Sequence, residues 1–147
     1  MTPEDIGVRN ETYRLFAERG HAPSADDVAA TMGAPAREVR QAWTRLHDAH
    51  ALVLNSEGSE ILMANPFSAV PTPYRVRAGH RWWYANCAWD AFGVCAALHS
   101  DGRIETSCPD CREPLTVDVI DQQPQKSSLV FHCYVPARQW WDDIVFT

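Results

Sequence analysis

The chain has 147 residues, 46% of them hydrophobic, with six Trp and a formal net charge of −6. That length suits one domain or two small ones sharing a core, and the acidity disfavours nucleic acid as the default partner. No apolar run approaches the ~20 residues needed to cross a bilayer, and the five cysteines come with no secretion signal. The expectation is a soluble cytoplasmic protein whose thiols are buried, metal-binding or reactive, not a disulfide scaffold.

In chain order, residues 7–19 read as a first helix, with Tyr13, Leu15, Phe16 and Ala17 as apolar positions and Gly20 as its stop. Ser24 is an N-cap followed by acidic residues, and Val28, Ala29 and Met32 give the second helix its face before Gly33 ends it. A third helix opens at Pro35 or Ala36 and runs to about His50, with Val39, Ala42, Trp43 and Leu46 spaced for burial. Leu52–Leu54 and Glu60–Met63, joined by Asn55-Ser56-Glu57-Gly58, read as a β-hairpin. Three helices and a hairpin form a winged-helix pattern. Its arginines, Arg37, Arg40 and Arg45 among them, are outnumbered by acids, so a structural module is favoured over a DNA reader.

Residues 66–80 hold three prolines and the Arg75-Val76-Arg77 strand, and read as a connector into a second unit. His80–Tyr84 reads as a strand and Cys87–Leu98 as a helix. Residues 103–107, 115–119 and 128–134 read as strands, and Pro136–Trp141 as the start of a short helix. The predicted fold is α+β. A winged-helix-like module spans 1–65, and a small mixed or antiparallel sheet domain with a helix carrying Cys87 and Asp90 spans 66–147.

Cys87-Ala88-Trp89-Asp90 places a thiol and a carboxylate three residues apart, on one side of a helical turn. The thiolate is a soft metal ligand and the acid can carry a proton. Core packing of Cys87 and N-terminal capping by Asp90 are the bland alternatives. Cys108-Pro109-Asp110-Cys111 has zinc-knuckle spacing, with His132 and Cys133 as the residues that would complete four ligands. A plain Pro-Asp turn, a redox pair and an accessory soft-metal-binding pair stay open beside zinc. Trp82, Trp83, Trp89, Trp140 and Trp141 are read as core or pocket lining in preference to base-stacking platforms.

The run Trp82–Gly93 around Cys87 resembles the active-site segment of the organomercurial (alkylmercury) lyase family. The resemblance extends through the N-terminal helical region, Ile61–Pro73 and Trp140–Thr147. It implies protonolysis of carbon–mercury bonds, giving Hg(II) and a hydrocarbon, as part of mercury resistance and detoxification. On this resemblance Cys87 is the mercury-binding thiolate, and Asp90 handles the proton and also holds mercury. Cys108 matches a structural family cysteine, and Cys95 and Cys133 are core thiols. No resident cofactor is expected. Organomercurials, Hg(II), small-molecule thiols and a downstream mercuric reductase are the expected partners, with no membrane and no nucleic acid.

The resemblance further implies a second active-site cysteine directly after Thr147. The expectation is therefore a form holding only Cys87 and Asp90 of a triad, with little cleavage of its own. One reading of this boundary is a UGA codon meant for selenocysteine. An expression boundary, a nonsense mutation and a natural short form are its rivals. Two other functions compete: a soft-metal (mercury) binding protein without turnover, and a winged-helix metal-responsive transcriptional regulator.

Overall fold

The computed structural model describes residues 1–125, 128–133 and 135–146. The first helix, α1 (Pro3–Arg19), starts four residues before the apolar pattern does. The cause is a reciprocal cap. The Asp5 N–H donates to Thr2 Oγ1 at 3.2 Å, and the Thr2 N–H donates to Asp5 Oδ2 at 2.8 Å. Pro3 follows the cap, where its missing N–H costs nothing. α2 (Ala25–Met32) is capped by Ser24 and stopped by Gly33, as its sequence predicts. Met32 is 40% exposed, however, so the buried face of α2 is Ala25, Val28 and Ala29. α3 (Ala36–Asp48) buries Val39, Ala42, Trp43 and Leu46.

The three arginines of α3 are engaged by acids. Arg40 pairs with Asp26 at 3.1 Å, Arg45 with Asp5 at 2.7 Å, and Arg37 reaches Glu38 at 4.0 Å. The Asp5 side chain is 1% exposed. The Arg45 guanidinium, helped by the Thr2 N–H, holds its carboxyl down at about 2. A lowered folded pKa contributes stability above the ordinary value of 3.8, and that stability is lost as pH falls towards about 2. We expect the urea midpoint to drop across that window and the drop to flatten in Asp5→Asn. An equally steep acid limb in the variant would show that other groups control it.

Eight strands follow: β1 (Val53–Leu54), β2 (Ile61–Ala64), β3 (Phe67–Ser68), β4 (Arg75–Ala78), β5 (Arg81–Ala85), β6 (Gly102–Ser107), β7 (Pro114–Ile120) and β8 (Gln123–Pro124). They form one antiparallel sheet in the order β1-β2-β3-β5-β4-β6-β7-β8. α4 (Ala88–Leu98) connects β5 to β6. The architecture is α+β: helices first, then an antiparallel sheet with one helix. The hairpin of the N-terminal module is the start of this sheet, because β2 pairs with β3 (Met63 with Ser68, Ala64 with Phe67).

The helices dock on the sheet through aromatic side chains. Phe16 stacks on Phe67 with ring centroids 5.1 Å apart, and the Trp83 indole N–H donates to the Phe16 carbonyl at 3.2 Å. Gly20, with φ of 81°, lets the end of α1 approach β5; a Cβ there would sit 2.7 Å from the Trp82 carbonyl oxygen. One buried apolar cluster extends from Val8 to Val119.

The strand predicted over 128–134 does not form over residues 128–133, which are irregular and exposed; Tyr134 lies outside the described residues. The last described strand is β8 (Gln123–Pro124), and one further bond, from the Gln125 N–H to the Asp118 carbonyl at 2.8 Å, follows it. Instead, Phe131 turns towards Trp89, with ring centroids 6.0 Å apart. The predicted terminal helix is a single 3-10 stretch, Ala137–Asp142.

Candidate functional site

β5 leads directly to the site. After Ala85 the chain leaves the sheet through Asn86 to Cys87, which is the N-cap of α4 with extended backbone (φ −148°, ψ −177°). Cys87 therefore stands at the strand-to-helix joint and not on the first helical turn as its sequence predicts. Asp90 lies three residues further on, in that turn. The Asn86 amide ties the pieces together. Its Nδ2 donates to Asp90 Oδ2 at 3.1 Å, to Asn65 Oδ1 at 2.9 Å and to the Phe67 carbonyl at 3.4 Å.

Two adjoining cavities open at this joint, of about 160 Å³ and about 280 Å³. Cys87, Tyr74, Trp140 and Phe146 line both. Cys133 and Trp89 line the smaller one, and Asp90 and Asn86 the larger. The 3-10 stretch holds Trp140 over the joint, its indole N–H donating to the Val135 carbonyl at 2.8 Å. Trp141 stacks on His50 with centroids 4.1 Å apart and anchors this cover to the N-terminal module.

Burial pushes the Cys87 thiol up. The negative charges of Asp90 and Cys133 add to that rise, and the backbone N–H groups of Asp90 and Trp89 oppose it. Burial also raises the Asp90 carboxyl, against hydrogen bonds from Asn86 and from the Cys87 thiol. Burial thus shifts both groups towards their neutral forms, the thiol and the carboxyl side by side.

The other thiols divide cleanly. Cys95 is 1% exposed and packs beside Gly102, where a Cβ would come within 2.6 Å of its Sγ. It is the core thiol expected. Cys133, also read as a core thiol, is exposed and lines the Cys87 cavity with His132. The irregular path of 128–133 brings it there, and no motif marked it. His132 and Cys133 accordingly do not complete a zinc site at Cys108 and Cys111. Among the described residues no group of three or more His, Cys, Asp or Glu is placed to hold a metal ion.

Cys108 and Cys111 occupy the turn between β6 and β7. Backbone N–H groups of Cys111 and Asp110 stabilise the Cys108 thiolate and lower its pKa. Cys108 should therefore react with iodoacetamide at lower pH than Cys87, as mass spectrometry of alkylated peptides across a pH series would show. The reverse order would contradict the burial of Cys87.

Among the tryptophans, Trp83 is buried and Trp89 and Trp140 line the cavities, whereas Trp82 lies under Arg75 at 4.4 Å and Arg77 at 5.7 Å. Asn86 and Tyr74 were missed by sequence reasoning. Asn86 had a readable signal, an amide four residues before a carboxylate at a helix start.

A thiol and a carboxylate thus share the N-terminus of one helix, under an aromatic cover, in an α+β protein. The alkylmercury lyase (MerB) family model matches residues 67–147, and the chain belongs to that family. Among solved structures, the crystal structure of the mercury-bound form of MerB2 superimposes with a TM-score of 0.68 at 21% identity, covering 87% of this chain. This chain spans 61% of that one, and the likeness is one of fold. Comparison with curated proteins gives no match. Among the described residues, no helix is long and apolar enough to cross a membrane.

Proposed function

We propose that this protein cleaves carbon–mercury bonds in organomercurials by protonolysis, with Cys87 as mercury-binding thiolate and Asp90 as proton donor. The observation that carries this reading is the Cys87–Asp90 pair at one cavity wall, where burial raises the affinity of the carboxylate for a proton. The organomercury cation replaces the proton on Cys87, because soft thiolates outcompete oxygen donors for it. That proton passes to the Asp90 carboxylate, which the thiol already reaches with a hydrogen bond. The carbon–mercury bond then breaks with its electron pair taking the Asp90 proton. The hydrocarbon leaves, and Hg(II) remains on the Cys87 thiolate beside the ionised carboxylate. Cys133 is a second thiol on the cavity wall; as a further soft donor to the ion it gives the site more than the Cys87 and Asp90 on which the expectation of little cleavage rests. Asn86 keeps Asp90 aimed during the transfer.

The apolar wall of Trp89, Phe131, Trp140 and Phe146 suits a methyl or phenyl group. Small-molecule thiols would carry Hg(II) out by exchange. The test is headspace gas chromatography of methane or benzene released from methyl- or phenylmercury in excess small thiol. Release above the protein-free rate supports the reading, and Hg(II) binding without hydrocarbon would make the protein a mercury binder. The regulator reading gains nothing from α3, whose three arginines are engaged by acids.

A further inference from the structure

We propose that Cys108 and Cys111 form a second mercury site, a dithiol clamp on the β6–β7 turn that takes Hg(II) from the Cys87 cavity. The turn is pinned at both ends. The Cys108 N–H donates to the Glu113 carbonyl at 2.9 Å, and the Arg112 N–H donates back to the Cys108 carbonyl at 2.9 Å, with Arg112 at φ 64°. Within that frame the Cys111 thiol and backbone N–H both reach the Cys108 sulfur, so the two sulfurs are neighbours. Cys111 is exposed and Cys108 half-buried, which leaves the pair open to an incoming ion.

Donor count selects the ion. Among the described residues no third His, Cys, Asp or Glu joins the pair. Structural zinc takes four ligands, whereas Hg(II) is satisfied by two thiolates in line. The sheet places the clamp near the first site. Arg75 on β4 pairs with Tyr84 on β5 and with Glu105 on β6. Cys87 lies three residues past Tyr84 and Cys108 three past Glu105, so both thiols leave the same end of the sheet. Their strands flank β4 and stand about 10 Å apart, two strand spacings.

The transfer is ligand exchange without redox change. Two thiols of the clamp form two sulfur–mercury bonds, and the bonds to Cys87 and to the ion's other ligand break. The two clamp protons end on the Cys87 thiolate and on that departing ligand. The second clamp bond forms within one turn, at high effective concentration, so the dithiol outcompetes a single thiol. The transfer step rests on the proposed lyase reaction; the clamp itself does not.

The test uses the whole chain and inorganic HgCl2, so it stands whether or not the protein cleaves organomercurials. One equivalent of HgCl2 is added with a modest excess of 2-mercaptoethanol. Free thiols are then alkylated, and each cysteine's rate is compared with that in metal-free protein. We expect Cys108 and Cys111 to be protected at least about 10-fold while Cys87 alkylates at its metal-free rate. In Cys108→Ser/Cys111→Ser the protection should move to Cys87. Three results would overturn the proposal: mercury staying on Cys87 in the unaltered protein, Cys111→Ser protecting Cys108 as well as the full pair does, or Zn(II) binding at one ion per two chains with dimerisation. Circular dichroism of each variant confirms that the exposed turn tolerates the change.

Discussion

Cys87→Ser should reduce carbon–mercury cleavage to the protein-free rate, and Asp90→Asn should reduce it by about 10²–10⁴-fold, the usual contribution of a positioned acid. The two losses differ in kind. A serine hydroxyl is a hard, weakly acidic donor, so Cys87→Ser removes both mercury binding at the cavity and the bond weakening that precedes protonation. Asp90→Asn leaves the thiol in place, so organomercurial still binds and a stoichiometric protein–mercury adduct accumulates uncleaved. Mass spectrometry of the trapped adduct separates the cases. Stability should move the other way. The folded pKa of Asp90 is raised, so its favourable contribution is present below the ordinary carboxylate pKa and is lost as pH rises through the folded value. The Asn variant escapes that loss and should be at least as stable as the parent at neutral pH. For prebound substrate, cleavage should fall as pH rises through the Asp90 pKa, while loading of Cys87 should rise with pH. Full activity in Asp90→Asn would remove the carboxyl from the chemistry and leave it as a helix-terminal residue.

Much of the framework was legible because short-range chemistry set it. Ser24 and Gly33 bracket α2 through contacts made within a few residues, and Val39, Ala42, Trp43 and Leu46 of α3 repeat on one face. β6 and β7 alternate enough to be seen without their partners. The start of α1 was missed because its signal is a polar cap, Thr2 with Asp5, lying ahead of the first apolar residue used to find the helix. The misread strand at 128–133 failed for a long-range reason. Its apolar residues match a strand, but residues 128–133 pair with none of the described strands, and Phe131 and Cys133 line the cavity instead. Cys87 and Asp90 could be paired by spacing alone. That Cys133 and Trp140 would meet them depends on a fold-back of about fifty residues that no local pattern encodes.

Trp43→Ala should be the most destabilising single change in the N-terminal helices, costing about 3–5 kcal/mol, the range for emptying a fully buried aromatic site. Trp43 is 0% exposed, and its indole N–H donates to Thr12 Oγ1 at 3.0 Å, while that hydroxyl donates to the Val8 carbonyl at 2.8 Å. The indole therefore fills the space between α1 and α3 and satisfies a buried hydroxyl at once. Trp43→Phe keeps most of the volume and removes only the hydrogen bond, so it should cost about 1–3 kcal/mol. Against a total of about 5–15 kcal/mol for an ordinary domain, the Ala change is severe. Urea unfolding followed by far-UV circular dichroism and by Trp fluorescence measures both the cost and its reach. The hairpin strands β1 and β2 belong to the same sheet as β5, and Trp83 on β5 is bonded to Phe16 on α1. Loss of the α1–α3 contact should consequently be felt across the sheet. We expect the two probes to shift together to lower urea as one transition. An early loss of helical signal, with the fluorescence transition left in place, would instead mark residues 1–65 as a separately folding unit.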